Sequence, residues 1–379
     1  MKKFISKITL FSTPLIIVFL IPVVFLFMSG ENYKSIDDTV KSKNNYLIGY
    51  AYNESNYRYL KQIELEYRHP QHIIALGSSR VLQFRDKMFT KPFYNAGYTI
   101  SSISDFIPFI ESNLENKRPE VLLIALDQWM FNENWDNLED YNMSDKQWNS
   151  SFNYKASIGT IFNVWSDIFS GKYGFEVLVG STEQSRQNKI GLNAIVNNKG
   201  FRKDGSIFYG DQIHKLLSND STANDFGYLD TYSRIENGNR RFEFGAKVND
   251  KAIQALSDLL LFCKRRNIYV VAFLPPFANK VNLKMNQSKN YFYMDSIYSK
   301  SIELFEKHQF ELWDLSNLSK YNSNDDEMID GFHGSEVAYL KMLIYMIENG
   351  SELKHVTNIN KLKHDLNDRQ NNYSVYPNK

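Results

Sequence analysis

Two short segments far apart in the chain carry the residue types of nucleophilic acyl chemistry: Gly77-Ser78-Ser79-Arg80 and Asp330-Gly331-Phe332-His333. A serine hydroxyl is a weak nucleophile until an imidazole takes its proton, and a carboxylate on the other ring nitrogen holds that imidazole in the right tautomer. Ser79 supplies the hydroxyl, His333 the base, and Asp330, three residues earlier, the orienting acid. Of the seven histidines, His333 is read as the one with an acidic residue three before it at a helix start. Asp314, at the end of a strand-like run, is the rival orienting acid.

Each of these residues also has a plainer reading. Gly-Ser-Ser is ordinary turn chemistry, Asp330 fits an N-terminal helix cap, and His333 fits a capping or surface histidine. Arg80 either binds an anionic substrate group or pairs with Asp86 or another acid. Asp127 bonds the loop backbone, touches substrate or polarises a neighbour. Trp129 and Phe131 either stack on a sugar ring or pack. Gly200 to Gly205 reads as a structural turn around Asp204-Gly205. The basic triplet Lys264-Arg265-Arg266 complements a helix C-terminus.

The elements that must position these residues alternate between strand and helix. His72 to Leu76 is a short apolar strand, followed by Pro92 to Asn95. Ile103, Phe106, Ile107, Ile110 and Leu114 mark one face of a helix capped by Ser102 or Ser104. Val121 to Leu126 reads as a buried parallel strand. After an aperiodic stretch, a helix capped by Asn249 or Asp250 leads to the strand Ile268 to Leu274. A helix within Tyr291 to His308, the strand Phe310 to Leu315 and a helix from about Ser335 to Glu348 follow. The predicted class is α/β, a three-layer α/β/α arrangement around a mostly parallel five-stranded sheet. Ligands bind such sheets beyond the carboxyl ends of the strands, and Ser79, Gly97 and Asp127 all fall just after strands. The expected organisation is an anchor at 1–30, a stalk and linker helix at 31–70, an α/β domain at 71–350 and a loosely held polar tail at 351–379. An insertion on the catalytic face occupies about 131–245.

The chain has 379 residues and a net charge of +1, so no basic balance points to nucleic acid. A hydrophobic share of 43% with 15% aromatics supplies a sizeable core. The single cysteine, Cys263, rules out an intramolecular disulfide and reads as a small buried hydrophobe. Ile8 to Gly30 is free of charge and, as a helix, would extend about 34 Å. Lys2, Lys3 and Lys7 precede it, which predicts a cytoplasmic N-terminus and an outward-facing remainder. An uncleaved anchor in the lipid bilayer is favoured over a cleaved signal peptide, because the run is long and no small-x-small site follows it. No zinc spacing, phosphate loop or dinucleotide fingerprint is present, so no metal or cofactor is expected.

Taken together, these residues resemble the SGNH superfamily of GDSL-like esterases and acyltransferases, across 72–126 and about 249–348. The resemblance implies a flavodoxin-like sheet with Ser79 as nucleophile in the block Gly77-Ser78-Ser79. It implies Asp330 and His333 as the last block, and an oxyanion hole formed by the N–H groups of Ser79 and of Gly97 in Asn95-Ala96-Gly97. The third block departs from the family: Leu126-Asp127-Gln128-Trp129 stands where Gly-x-Asn-Asp is usual, leaving the longer Gln128 amide as the replacement donor. Substrate contacts are expected from Arg80, Asp127 and Trp129. The anchor, the altered block and the large insertion look most like the envelope branch, similar to the D-alanine-transfer protein of teichoic acids and to alginate acetylation proteins. That likeness implies an esterase or O-acyltransferase acting on glycan or glycopolymer, beside a polytopic membrane-bound O-acyltransferase. The alternative is a non-catalytic partner or glycan-binding subunit with the same fold.

Overall fold

A computed structural model describes residues 1–32, 35–42, 44–136, 138, 148, 150–174 and 188–377. The chain divides into two compact units, one of Met1–Ile63, Ser151–Lys203 and Phe208–Asp211, the other of Glu64–Ser150, Asp204–Ile207 and Gln212–Lys379.

The second unit is built on a five-stranded sheet. Its strands are β1 (Ile73–Leu76), β2 (Phe93–Asn95), β3 (Val121–Ala125), β4 (Tyr269–Leu274) and β5 (Glu311–Asp314). Their order across the sheet is β2-β1-β3-β4-β5, and every neighbouring pair is parallel. The apolar runs predict this. Parallel strands joined by crossover helices are buried on both faces, and Ile73, Ile74, Ala75 and Leu76 are all buried. The register sets Leu76 against Ile124. That brings Gly77 so close to β3 that a Cβ there would lie 2.9 Å from the Cβ of Ala125.

Helix termini follow the expected chemistry. Ser102 accepts from the Ser104 N–H at 3.3 Å and forms a capping box with Asp105 ahead of the helix Phe106–Leu114. Asn249 caps Asp250–Arg265, and Ser335 caps Glu336–Glu348. Cys263 is fully buried, and burial pushes its thiol up to about 12.

The tail is not loosely held. Leu353, Val356, Leu362, Val375 and Tyr376 all enter the main core. The buried Glu336 carboxylate accepts from the backbone N–H groups of Val375 (3.0 Å) and Tyr376 (3.2 Å). Glu336 also pairs with Arg85 at 2.6 Å, and Arg85 reaches Asp204 at 2.7 Å. A low apolar density hid this, because the anchoring residues are few and widely spaced.

Asp204-Gly205 forms the expected turn and does more. The Asp204 carbonyl accepts from the Asn95 N–H at 2.9 Å, extending the edge of β2. Gly205 has φ +81°, and a Cβ there would sit 2.1 Å from the Asn95 carbonyl oxygen. Gly205→Ala is expected to cost about 3 kcal/mol or more, combining left-handed strain with a backbone clash. A matching drop in the urea midpoint of unfolding checks this.

In the first unit, residues 31 to 63 are not an isolated stalk. Leu47–Ile48 pairs in parallel with Lys189–Ile190 and antiparallel with Gly200–Arg202. The N-terminal helix Lys2–Ser29 ends at Gly30 in a left-handed cap. Glu31 follows, fully buried, and accepts from the N–H groups of Ala51, Tyr52 and Leu192 at 2.5, 2.6 and 2.9 Å. Strands of two residues carry no readable period, so a Tyr-rich polar stretch reads as linker. The helix Asn56–Tyr67 stands where one was expected before Pro70. The aperiodic region about 131–245 is divided as well: residues 151–203 and 208–211 belong to this unit and the rest to the other.

Candidate active site

Ser79, Gly97 and Asp127 follow β1, β2 and β3 and therefore share the carboxyl edge of the sheet. The chain passes from β1 to β2 on one side and then to β3 on the other. The order thus reverses between β1 and β3, where open α/β sheets leave a crevice. Ser79 opens a short 3-10 turn, Ser79–Val81, whose cap is the Ser78 hydroxyl accepting from the Arg80 N–H at 3.2 Å.

Ser79 Oγ lies 2.8 Å from His333 Nε2, and His333 Nδ1 lies 2.7 Å from Asp330 Oδ2. An ionised carboxylate can only accept, so Nδ1 carries the proton and Nε2 is left to accept from the serine hydroxyl. Asp330 also shapes the loop. Its Oδ1 accepts from the N–H groups of Phe332 (3.0 Å) and His333 (2.8 Å). Burial alone would raise the Asp330 carboxyl, but the charge and hydrogen bond of His333, with these two N–H groups, hold it below the usual carboxylate range. Asp225 secures the same loop from outside by accepting from the Gly331 N–H at 2.9 Å.

The rival acid Asp314 is committed elsewhere, paired with Lys320 at 2.6 Å. His355 also has an acid three residues earlier, Glu352, 3.4 Å away, but both side chains are well exposed. Spacing alone therefore does not single out His333; the serine across from it does.

The oxyanion donors come out differently. The Gly97 N–H donates to Asn95 Oδ1 at 3.0 Å, so it can serve a developing oxyanion only by exchanging that bond. Asn95 in turn donates to the carbonyls of Val81 (2.9 Å) and Phe84 (3.1 Å), fixing the chain beyond Ser79. Gln128 does not face the serine as a donor. Its amide nitrogen donates to the Pro275 carbonyl at 2.8 Å, and its oxygen accepts from Arg80 at 2.7 Å. The Ser79 N–H makes no hydrogen bond among the described residues.

The residues expected to contact substrate lie in the interior. Arg80, Asp127 and Trp129 are all buried. The turn Gln128–Phe131 carries the residues after β3 inward rather than into a cleft. Arg80 donates through Nε to the Phe332 carbonyl at 2.9 Å, through one terminal nitrogen to Gln128, and through the other to the Pro276 carbonyl. Its guanidinium lies over the Phe277 ring at 4.2 Å and near Trp129 at 5.1 Å. Its acid partner is Asp127 at 3.5 Å, not Asp86. Burial pushes the Asp127 carboxyl up, against the opposing pulls of Arg80, the Ser78 hydroxyl and Arg241. Arg80 thus clamps the loops after β1, β3 and β4 to the loop that bears His333.

Arg241 carried no sequence signal, since it lies in the aperiodic stretch. It is half-buried, 5.2 Å from the Trp129 ring, and its guanidinium makes no hydrogen bond or ion pair among the described residues. Phe242 packs against Phe332 at 5.7 Å, so the stretch around 225–242 does border the histidine loop. No family model, no curated protein and no solved structure matches the chain.

Proposed function

We propose that the protein is a serine-dependent esterase or O-acyltransferase of the SGNH kind. The observation that carries this reading is the hydrogen-bonded relay Ser79–His333–Asp330, assembled from segments 254 residues apart. As His333 Nε2 takes the hydroxyl proton, Ser79 Oγ attacks the acyl carbonyl. The tetrahedral intermediate then collapses, the same proton passes to the leaving alcohol, and an acyl-serine remains. A second hydroxyl, from water or a glycan, gives its proton to His333 and takes the acyl group, releasing Ser79. Oxyanion stabilisation rests first on the Ser79 N–H, with Gly97 joining if Asn95 yields.

The setting of this chemistry belongs to the same proposal. The helix Lys2–Ser29 is long and apolar enough to cross a membrane. Lys2, Lys3 and Lys7 at its start favour a cytoplasmic N-terminus and an extracytoplasmic site. Acyl esters of envelope glycopolymers are the proposed substrates, with a polytopic membrane-bound O-acyltransferase as partner.

A second reading rests on a specific observation: the Gly97 N–H and the Gln128 amide are both spent within the protein. A binding subunit that keeps the fold without turnover has the same feature. A fluorophosphonate separates the two readings, because its phosphorus reacts with an activated serine and needs no deacylation. Wild-type protein is expected to label covalently and Ser79→Ala is not. Equal labelling of both, or none of either, sinks the enzymatic reading.

A further inference from the structure

Pro22 lies inside the N-terminal helix and has no N–H to give to the carbonyl four residues earlier, that of Val18. In a hydrocarbon environment an unpaired carbonyl costs several kcal/mol. The structure pairs it: the Trp165 indole N–H donates to the Val18 carbonyl at 2.7 Å. Trp165 belongs to the helix Ile158–Phe169, capped by Ser157 accepting from the Thr160 N–H at 3.0 Å. Val164 of that helix joins Phe25 and Leu26 of the N-terminal helix in a small core with Tyr173 and Leu192.

Ile158, Phe162 and Phe169 share one stripe of the helix with Trp165, turned away from Val164, and Phe169 stacks on Trp165 at 5.3 Å. Ile158 is 67% exposed, Phe162 58% and Phe169 81%. Its one charged side chain, Asp167, is turned to partners: the Tyr52 hydroxyl donates to it at 2.6 Å, and Lys172 pairs with it at 2.8 Å. Depth decides what covers that surface. Val18 stands about 15 Å along the helix axis from Ile8, where the uncharged run begins. A hydrocarbon core is about 30 Å thick. A crossing that begins near Ile8 therefore places Val18, and the tryptophan bonded to it, inside lipid.

We infer that Ile158–Phe169 is a second membrane element, embedded beside the N-terminal helix with Ile158, Phe162 and Phe169 against lipid acyl chains. The inference rests on the membrane reading of Lys2–Ser29 and is independent of catalysis. Trp165 is then a lock that satisfies the carbonyl freed by Pro22 and fixes the anchor's rotation relative to the rest of its own unit.

The test uses the full chain in phosphatidylcholine vesicles at low protein density, so that no protein partner is available. Cys263 is buried with a raised thiol and is left in place. Single cysteines at Leu15, Phe162, Phe169 and Leu217, all exposed positions, carry an environment-sensitive fluorophore. Labels at Leu15, Phe162 and Phe169 are expected to be quenched by lipids with spin-labelled acyl chains and to resist aqueous iodide several-fold better than the label at Leu217. Iodide quenching at Phe162 and Phe169 equal to that at Leu217, with Leu15 still shielded, overturns the inference while sparing the anchor. Loss of shielding at Leu15 removes the anchor and the inference with it. Neither result bears on fluorophosphonate labelling at Ser79, so the two proposals fail separately.

Discussion

Replacing His333 with alanine should lower kcat/KM toward an activated acetyl ester by on the order of 10³ to 10⁴, with a similar loss for Ser79→Ala and little further loss in the double variant. Non-additivity is the diagnostic part. On the esterase reading nucleophile and base act as one device, so removing the second part of a broken relay changes little. Asp330→Asn tests the third member differently. The amide would still accept from the Phe332 and His333 N–H groups through its oxygen, but it would present an N–H to Nδ1 and favour the wrong tautomer. Turnover should therefore fall while the loop stays folded. The substitution should also change stability in acid. The Asp330 carboxyl is held below its ordinary value by His333 and two backbone N–H groups, despite burial. A carboxyl with a depressed folded-state value contributes stability above its unfolded value and loses it as pH falls through the folded one. The wild type should therefore destabilise more steeply than Asp330→Asn as pH drops from about 5 into the acid range. Kinetic profiles on the ester, with thermal melts between neutral and acid pH, read both effects. Equal kcat/KM for wild type, Ser79→Ala and His333→Ala would leave the relay without a catalytic role.

The route from sequence to this geometry was short where physical signals are local. Val121 to Ala125 and Tyr269 to Leu274 are continuous apolar runs, which in a chain of alternating strands and helices means a parallel sheet buried on both faces. The carboxyl-edge rule then places Ser79, Gly97 and Asp127 together without further information. Asp330 is preferred to Asp314 on the block spacing that the family resemblance implies, and the structure pairs Asp314 with Lys320 instead.

Legibility ended where the deciding contact is non-local or depends on side-chain direction. Nothing about Arg80 as a letter says whether it faces a cleft or the core. Its acceptors Pro276 and Phe332 lie 196 and 252 residues away. The direction of the Gln128 amide follows from Arg80, so an error at one position carries to the next. The two-residue strands Leu47–Ile48 and Lys189–Ile190 are too short for periodicity, and the division of the 131–245 stretch between two units depends on such pairings. Glu31 and Glu336 carry no sequence signal of their placement, yet both are buried acceptors for backbone N–H groups. Composition cannot distinguish a solvated glutamate from one that closes a loop.

Arg80 gives the second large effect. Arg80→Met should destabilise the protein by about 3 to 5 kcal/mol, because it removes one partner of a buried pair and strands Asp127. The cost has a second source, since the carbonyls of Pro276 and Phe332 and the Gln128 oxygen lose their donor inside a dry interior. For a domain of this size that corresponds to a fall in melting temperature on the order of 10 °C. Adding Asp127→Asn should recover part of the loss by removing the stranded charge but none of the carbonyl term, and a double-mutant cycle separates the two. Arg80→Lys sharpens the argument. Lysine keeps the positive charge but not the planar fork, so it cannot reach Phe332, Gln128 and Pro276 at once. Asp127 stays paired, the fold is retained, and the histidine loop loses the bond at the carbonyl next to His333. On the esterase reading, kcat should fall by on the order of tenfold to a hundredfold with KM little changed, because small misplacements of a catalytic group are costly. A kcat equal to that of wild type, in a variant whose melting temperature has dropped, would limit Arg80 to holding the core and separate it from the positioning of His333.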